Sequence, residues 1–479
     1  MLFPTVSFAV FFLVAFTVSW LLRPAYRVWL WVMTAISFWF YGYTDARFAW
    51  LLAFAIVSSW AFGAAIHRSL ASDGGRTPTS TNLVRAAVVV DLGLLGWFKY
   101  YGFFVDSVHE ALDAIGLGAS PPLLEIALPI GISFFTFHAI SYVIDIGRGQ
   151  LRPLRLDELA LYMSFFPHLV AGPIVRASEF APQLQVRADP RRIPSGEAFR
   201  LIAFGLFKKV VISSYVAAEI VDPVFGAPSA HGPLDLLVGV YAYAIQIYAD
   251  FSGYTDIAIG CALLLGIRFP QNFDGPYRAL SIQDFWRRWH MTLSRWLRDY
   301  LYIPLGGSRH GERQTYRNLF LTMVIGGLWH GAAITFLVWG ALHGAYLAGE
   351  RWVKRWWAAG HQEPVLPRPL TAALQWVLTF HLVCLAWVFF RAESLGKAFD
   401  VIRGIASGTQ PSELVTGLLL VTIALMIASQ FVPPRAVEQA QVRFTSLGPA
   451  LQVASLALAL TVIDVLGPDG VAPFIYFRF

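Results

Sequence analysis

Long apolar runs separated by short polar punctuation recur from one end of the chain to the other. About 20 apolar residues suffice to cross a bilayer as a helix. The pattern predicts such stretches near 5–22, 28–43, 48–66, 86–105, 126–145, 198–219, 234–250, 252–268, 317–337, 338–352, 371–390, 414–432 and 450–466. Some are re-entrant or buried, those within 234–268 and 317–352 are too crowded to assign separately, and roughly 10 to 12 crossings are expected. The fold class is therefore an all-α polytopic membrane protein. More polar stretches at 69–85, 146–160, 176–197, 269–314 and 353–369 divide the chain unevenly, and no internal repeat emerges.

The largest polar stretch has a helical period of its own. From Ser281 to Tyr302 the apolar positions Ile282, Phe285, Trp286, Trp289, Leu293, Trp296, Leu297, Tyr300 and Leu301 recur every three or four residues. That spacing predicts one amphipathic helix, with Ser281 and Asp284 as its capped start. Arg287, Arg288, Arg295 and Arg298 project away from the stripe, which places the helix at the cytoplasmic interface with its tryptophans at headgroup depth. Taken alone, a membrane-anchoring helix accounts for it as well. A flexible turn, Pro304-Leu305-Gly306-Gly307-Ser308-Arg309, then leads the chain back into the membrane.

Composition agrees with this class. Hydrophobic residues make up 57% of the 479 residues and charged residues 14%, where an average soluble domain has about a quarter charged. Mean hydropathy is +0.57. The net charge of +6 and the pI near 9.3 fit anionic lipid headgroups and need no nucleic acid. No basic residue precedes the first apolar run, and Arg23 and Arg27 follow it, so a first transmembrane helix is expected there and not a cleaved signal. Arg68, Arg76 and Arg85 follow the third stretch, against Arg47 alone between the second and the third. The bias of cytoplasmic loops toward Lys and Arg then puts the N-terminus outside. Cys261 and Cys384 lie far apart in apolar surroundings, as small buried hydrophobes, and no metal site is indicated.

The candidate chemistry lies in histidines. His330 sits in Ile325-Gly326-Gly327-Leu328-Trp329-His330-Gly331-Ala332-Ala333-Ile334. An ionisable group at membrane depth is costly to place and marks a protein interior or a functional pathway. The plain alternative is a buried imidazole bonded to a neighbouring carbonyl. The small residues around the ring permit either close helix packing or a substrate channel. Histidine is also suited to taking a proton at neutral pH. His290 lies upstream in Arg287-Arg288-Trp289-His290. His138, His168 and His343 have no comparable setting and are expected to be structural.

Gln271-Asn272-Phe273-Asp274, Phe285-Trp286-Arg287-Arg288-Trp289-His290, Tyr302-Ile303-Pro304-Leu305-Gly306-Gly307-Ser308 and Gly327-Leu328-Trp329-His330-Gly331 together resemble the membrane-bound O-acyltransferase (MBOAT) family. Within it the resemblance is to the bacterial branch serving alginate O-acetylation and teichoic-acid D-alanylation. It extends over nearly the whole chain, including Phe166-Pro167-His168-Leu169-Val170-Ala171-Gly172-Pro173-Ile174. The resemblance implies one membrane domain, 1–479, with its core motifs in 245–350. It implies a ring of tilted helices around a central tunnel, with interfacial amphipathic helices. By the same resemblance His330 is the general base and His290 orients or polarises the substrate, while Asn272, Asp274, Trp286, Arg287, Arg288 and Trp329 line the substrate path. A base is what the chemistry needs, since an alcohol cannot attack a thioester without losing its proton. No cofactor is expected to be tightly bound. Acetyl-CoA is the expected donor, a carrier-protein thioester fits equally, and Arg287 and Arg288 suit its phosphates or those of lipid.

The C-terminus reads Pro473-Phe474-Ile475-Tyr476-Phe477-Arg478-Phe479. It resembles the Phe-x-Tyr-Phe tail of polysaccharide-acylating members, which implies that Tyr476 carries the acyl group; an interfacial aromatic anchor is the alternative. The expected protein is thus an O-acyltransferase of a bacterial inner membrane. It passes an acetyl group toward an extracytoplasmic polysaccharide through an SGNH-type partner, with membrane lipid around it. An MBOAT enzyme acting on a lipid or protein hydroxyl, or a non-enzymatic permease, are the competing classes.

Overall fold

The computed structural model describes residues 1–72, 75–116, 127–170, 172–186, 188–360 and 367–468. Among these there are helices and turns and no strand, as a bilayer demands of a chain that must satisfy its backbone internally. Among the described residues six helices are long and apolar enough to cross: Ala46–Ser72, Pro78–Val105, Ser195–Gly226, Pro233–Leu264, Arg368–Arg391 and Pro449–Leu466. Gly417–Ser429 with Pro434–Thr445, bent by 95°, makes a seventh if counted as one span, and Val6–Leu22 and Ile132–Gly147 are shorter apolar helices. The protein is an all-α polytopic membrane protein. Many large apolar side chains point outward, Val6, Trp50, Leu418 and Val465 among them, as lipid-facing positions do.

The chain divides into two compact units, Met1–Ser195 with Ala258–Pro270, and Gly196–Ile257 with Gln271–Phe479. The first is built on an aromatic core in which Phe166 meets Phe11 edge-on at 5.0 Å and Phe40 at 5.6 Å. Its polar groups are paired locally. Thr77 and Ser80 form a capping box with Pro78 at the first helical position, and the Trp29 indole donates to Ser19 at 2.9 Å. His138 and His168 are fully buried here with rings 4.6 Å apart.

The two stretches expected at 234–250 and 252–268 form one continuous helix, Pro233–Leu264. Two lysines of the neighbouring span neutralise its acidic residues Asp250 and Asp256. Lys208 donates to Asp256 at 2.6 Å and to Ser252 at 2.8 Å, and buried Lys209 pairs with buried Asp250. A π-helical turn, Phe207–Ser213, widens that span so that consecutive lysines reach the same neighbour.

Glu312–His330 and Ile334–Gly360 form an antiparallel hairpin. Gly327 and Gly340 let the two backbones touch: a Cβ on Gly327 would stand 2.3 Å from the Phe336 carbonyl oxygen, and one on Gly340 2.4 Å from that of Met323. A Cβ on Gly331 would stand 2.2 Å from the Phe336 ring. Of the two uses open to this glycine-rich run, these positions serve close packing. At the open end Glu312 accepts from Arg351 at 2.8 and 2.9 Å and from Arg355 at 2.6 Å.

Candidate active site

The amphipathic helix expected over Ser281–Tyr302 starts as predicted, with the Ser281 hydroxyl accepting from the Asp284 amide at 3.1 Å. It is not continuous. Ile282–Arg288 ends, Trp289 is extended, and His290 takes φ 41° and ψ 54° before Met291–Leu297 begins. Among the described residues His290 is the only non-glycine with positive φ. Such a conformation costs a bulky residue about 1–3 kcal/mol and persists only where the surroundings enforce it.

The enforcing groups come from the segment upstream. The Asn272 carbonyl accepts from the Met291 amide at 2.9 Å. Its side-chain oxygen accepts from the Thr292 amide at 3.1 Å and the Thr292 hydroxyl at 2.9 Å. On the other side of the turn the Asp274 amide donates to the Arg288 carbonyl at 3.0 Å. The Arg288 guanidinium donates to Asp284 at 2.9 Å and to the Asp274 carboxylate at 3.1 Å, and Arg278 donates to Asp274 at 2.7 Å. Asn272, Asp274 and Arg288 thus bracket the turn that carries His290. Arg287, by contrast, is exposed.

The turn delivers a fully buried imidazole whose two nitrogens have no partner among the described residues. Phe251 meets it edge-on at 4.6 Å, and Trp329 lies 6.1 Å away. Burial pushes its pKa down to about 3, so the ring is neutral at physiological pH. His330 is the last residue of Glu312–His330 and is 3% exposed. Its ring lies 5.0 Å from Trp329, 4.9 Å from Trp339 and 5.1 Å from Phe390. The structure therefore brings His290, Trp329 and His330 together, both histidines flanking one indole. Two histidines in an apolar, aromatic enclosure can orient a hydroxyl and take its proton.

Trp286 enters by another route. Its indole donates to Nδ1 of His343 at 3.3 Å. His343 in turn lies 4.9 Å from Trp339, the same ring that flanks His330. His343 was expected to be structural, and the signal that could have raised it was its spacing of four residues from Trp339 on one helix face. Lys209 and Asp250 are absent from the expected site, although a charge within an apolar span is itself a functional pointer; Asp250 precedes the Phe251 that packs on His290. Tyr476 and the rest of the tail lie outside the described residues.

The chain belongs to the membrane-bound O-acyltransferase family, whose model matches residues 123–392, and it is an acyltransferase. It is 43% identical over 396 residues to the protein named probable alginate O-acetylase AlgI of Pseudomonas aeruginosa, covering 81% of this chain and 73% of that one. It is 38% identical over 403 residues to the peptidoglycan O-acetyltransferase of Helicobacter pylori, covering 78% and 73%. Against the teichoic acid D-alanyltransferase of Bacillus subtilis identity is 29% over 289 residues, covering 56% and 69%.

Proposed function

We propose that this chain moves an acetyl group from a cytoplasmic thioester across a bacterial inner membrane toward hydroxyls of an extracytoplasmic polysaccharide, handing it to an SGNH-type transferase. The observation that carries the reading is the pair of buried histidines flanking Trp329, one of them held in a left-handed backbone. Relatives named for O-acetylation of alginate and of peptidoglycan support the class of acceptor.

In this reading His330 takes the proton of the attacking hydroxyl as its oxygen bonds to the thioester carbonyl carbon. The carbon–sulfur bond then breaks and the proton passes from His330 to the leaving thiolate. Neutral His290 orients the reactants by hydrogen bonding, and Trp329 spaces the two rings. Asn272, Asp274 and Arg288 act through the turn they bracket, and exposed Arg287 is left to meet donor phosphates. Tyr476 is the first acceptor, giving a phenyl ester that the partner's nucleophile then attacks. The acetyl content of surface polysaccharide tests the reading in a strain lacking this gene, complemented with wild type or with His330→Ala. Acetylation restored by wild type alone supports it; acetylation unchanged by the deletion overturns it.

A further inference from the structure

His343 is fully buried, and its Nδ1 accepts a hydrogen bond from the Trp286 indole. An accepting Nδ1 requires a lone pair there, so the ring is the tautomer with its proton on Nε2. That Nε2 has no partner among the described residues. A buried N–H left without an acceptor is costly, by the full desolvation of the group. The ring cannot turn to escape the problem, being stacked on Phe285 with planes 6° apart and flanked edge-on by Trp286 and Trp339. Tyr346, 5.9 Å away, presents a second buried group without a partner among the described residues, its hydroxyl.

The position of this N–H along the hairpin identifies what it meets. Arg309, Arg313, Arg317, Arg351, Lys354 and Arg355 all lie at the open end, whereas residues 330–334 carry no Lys or Arg. That asymmetry marks the open end as cytoplasmic. His343 is nine residues into Ile334–Gly360, roughly 14 Å from its start at 1.5 Å per residue, and so lies on the cytoplasmic side of His330. Trp339 stands between the two histidines, 4.9 Å from each. A thioester entering from the cytoplasm passes His343 before its carbonyl reaches His330.

We infer that His343, with its tautomer set by Trp286, binds the acyl donor by giving its Nε2–H to a carbonyl oxygen of the thioester arm. This rests on the proposed thioester reading. The arm is common to coenzyme A and to an acyl carrier protein, so the contact serves either source.

The test compares two amides in the purified full-length protein. His343→Asn keeps a group to accept from Trp286 but has nothing at the Nε2 position, and His343→Gln restores a donor there. With acetyl-CoA, and separately with an acetylated carrier protein, His343→Asn is expected to raise the donor KM about tenfold with kcat within about twofold, and His343→Gln to recover most of the loss. Trp286→Phe, which leaves His343 in place but frees its tautomer, raises donor KM in the same direction and covers the case of a misfolded Asn variant. An unchanged donor KM in His343→Asn, beside a wild type that transfers acetyl, sinks this inference alone, with Nε2 then satisfied by water. A fall in kcat without a change in KM also overturns it. If wild type transfers from neither donor, the thioester reading itself falls.

Discussion

The side-chain oxygen of Asn272 accepts both the amide and the hydroxyl of Thr292, two residues past the strained His290. That carboxamide thereby helps to fix where one histidine of the site points. Asn272→Ala removes both bonds, at a cost of about 2 kcal/mol. Released from its bracket, the 289–291 turn relaxes toward helix and His290 moves. Activity should fall on the order of a hundredfold, as for other small misplacements of reacting groups. The expected signature is a lowered Tm together with that loss; a full-activity Asn272→Ala protein would show that the bracket does not matter to chemistry.

His330 ends its helix among aromatic rings that do not depend on it for packing. Trp339 meets Trp387 at 5.9 Å and Phe390 at 5.3 Å without it. His330→Ala should therefore insert and accumulate near normally while polymer acetylation disappears. Immunoblotting of membranes beside acetyl analysis checks both halves. Retained acetylation in a well-expressed variant would remove His330 from the role of base.

At His290 the backbone and the side chain make separable demands. Asparagine tolerates the left-handed conformation better than most residues and can still give or accept hydrogen bonds, so His290→Asn should keep part of the activity. Leucine meets neither demand, and His290→Leu should lose both activity and stability. The pH dependence follows from the depressed pKa of about 3. Between that value and about 6.5 the unfolded chain binds a proton that the folded one does not. The stability contribution is full above pH 6.5 and declines as pH falls below it. Tm measured from pH 7.5 to 5 should drop more in wild type than in His290→Asn, and parallel curves would mean that His290 is not the buried neutral group described.

Hydrophobic period and charge asymmetry made the class and the histidines legible, because both are local features of the chain. The break at His290 was not. Trp289 and Leu293 continue the apolar stripe across it, and the bonds that force the left-handed turn come from Asn272 and Asp274, far enough upstream to be invisible to any periodicity. The same non-locality hid the continuity of Pro233–Leu264, since Asp250 and Asp256 are helix-compatible only once Lys209 and Lys208 are placed beside them. Trp329 and His330 were found together because they are neighbours in sequence. The link from Trp286 through His343 to Trp339 needed the fold.

Close packing of the hairpin is the support on which His330 stands. Gly340→Ala places a methyl carbon 2.4 Å from the Met323 carbonyl oxygen and 2.9 Å from the Val324 Cα, both backbone, so the helices must separate. Such overpacking costs about 1–3 kcal/mol. Activity and Tm should fall together, and a Gly340→Ala protein with wild-type Tm would mean that the hairpin tolerates separation.

The tail provides the test that separates relay from direct transfer. If acetyl passes to Tyr476 before it reaches the partner, Tyr476→Phe should abolish polymer acetylation while keeping every aromatic surface an anchor would use. Only the hydroxyl is lost. Phenol has a pKa near 10, well below that of a sugar alcohol, so a phenyl ester is an activated donor and the second step runs downhill. Deleting Phe474 to Phe479 should then be no more damaging than Tyr476→Phe. Incubation of purified protein with labelled acetyl donor and no acceptor should leave label on a C-terminal peptide, removable by mild base. In His330→Ala protein that label should be missing, because the phenol has no base to take its proton. Wild-type acetylation by Tyr476→Phe would instead make the tail an anchor and require transfer to proceed directly from the thioester at His330.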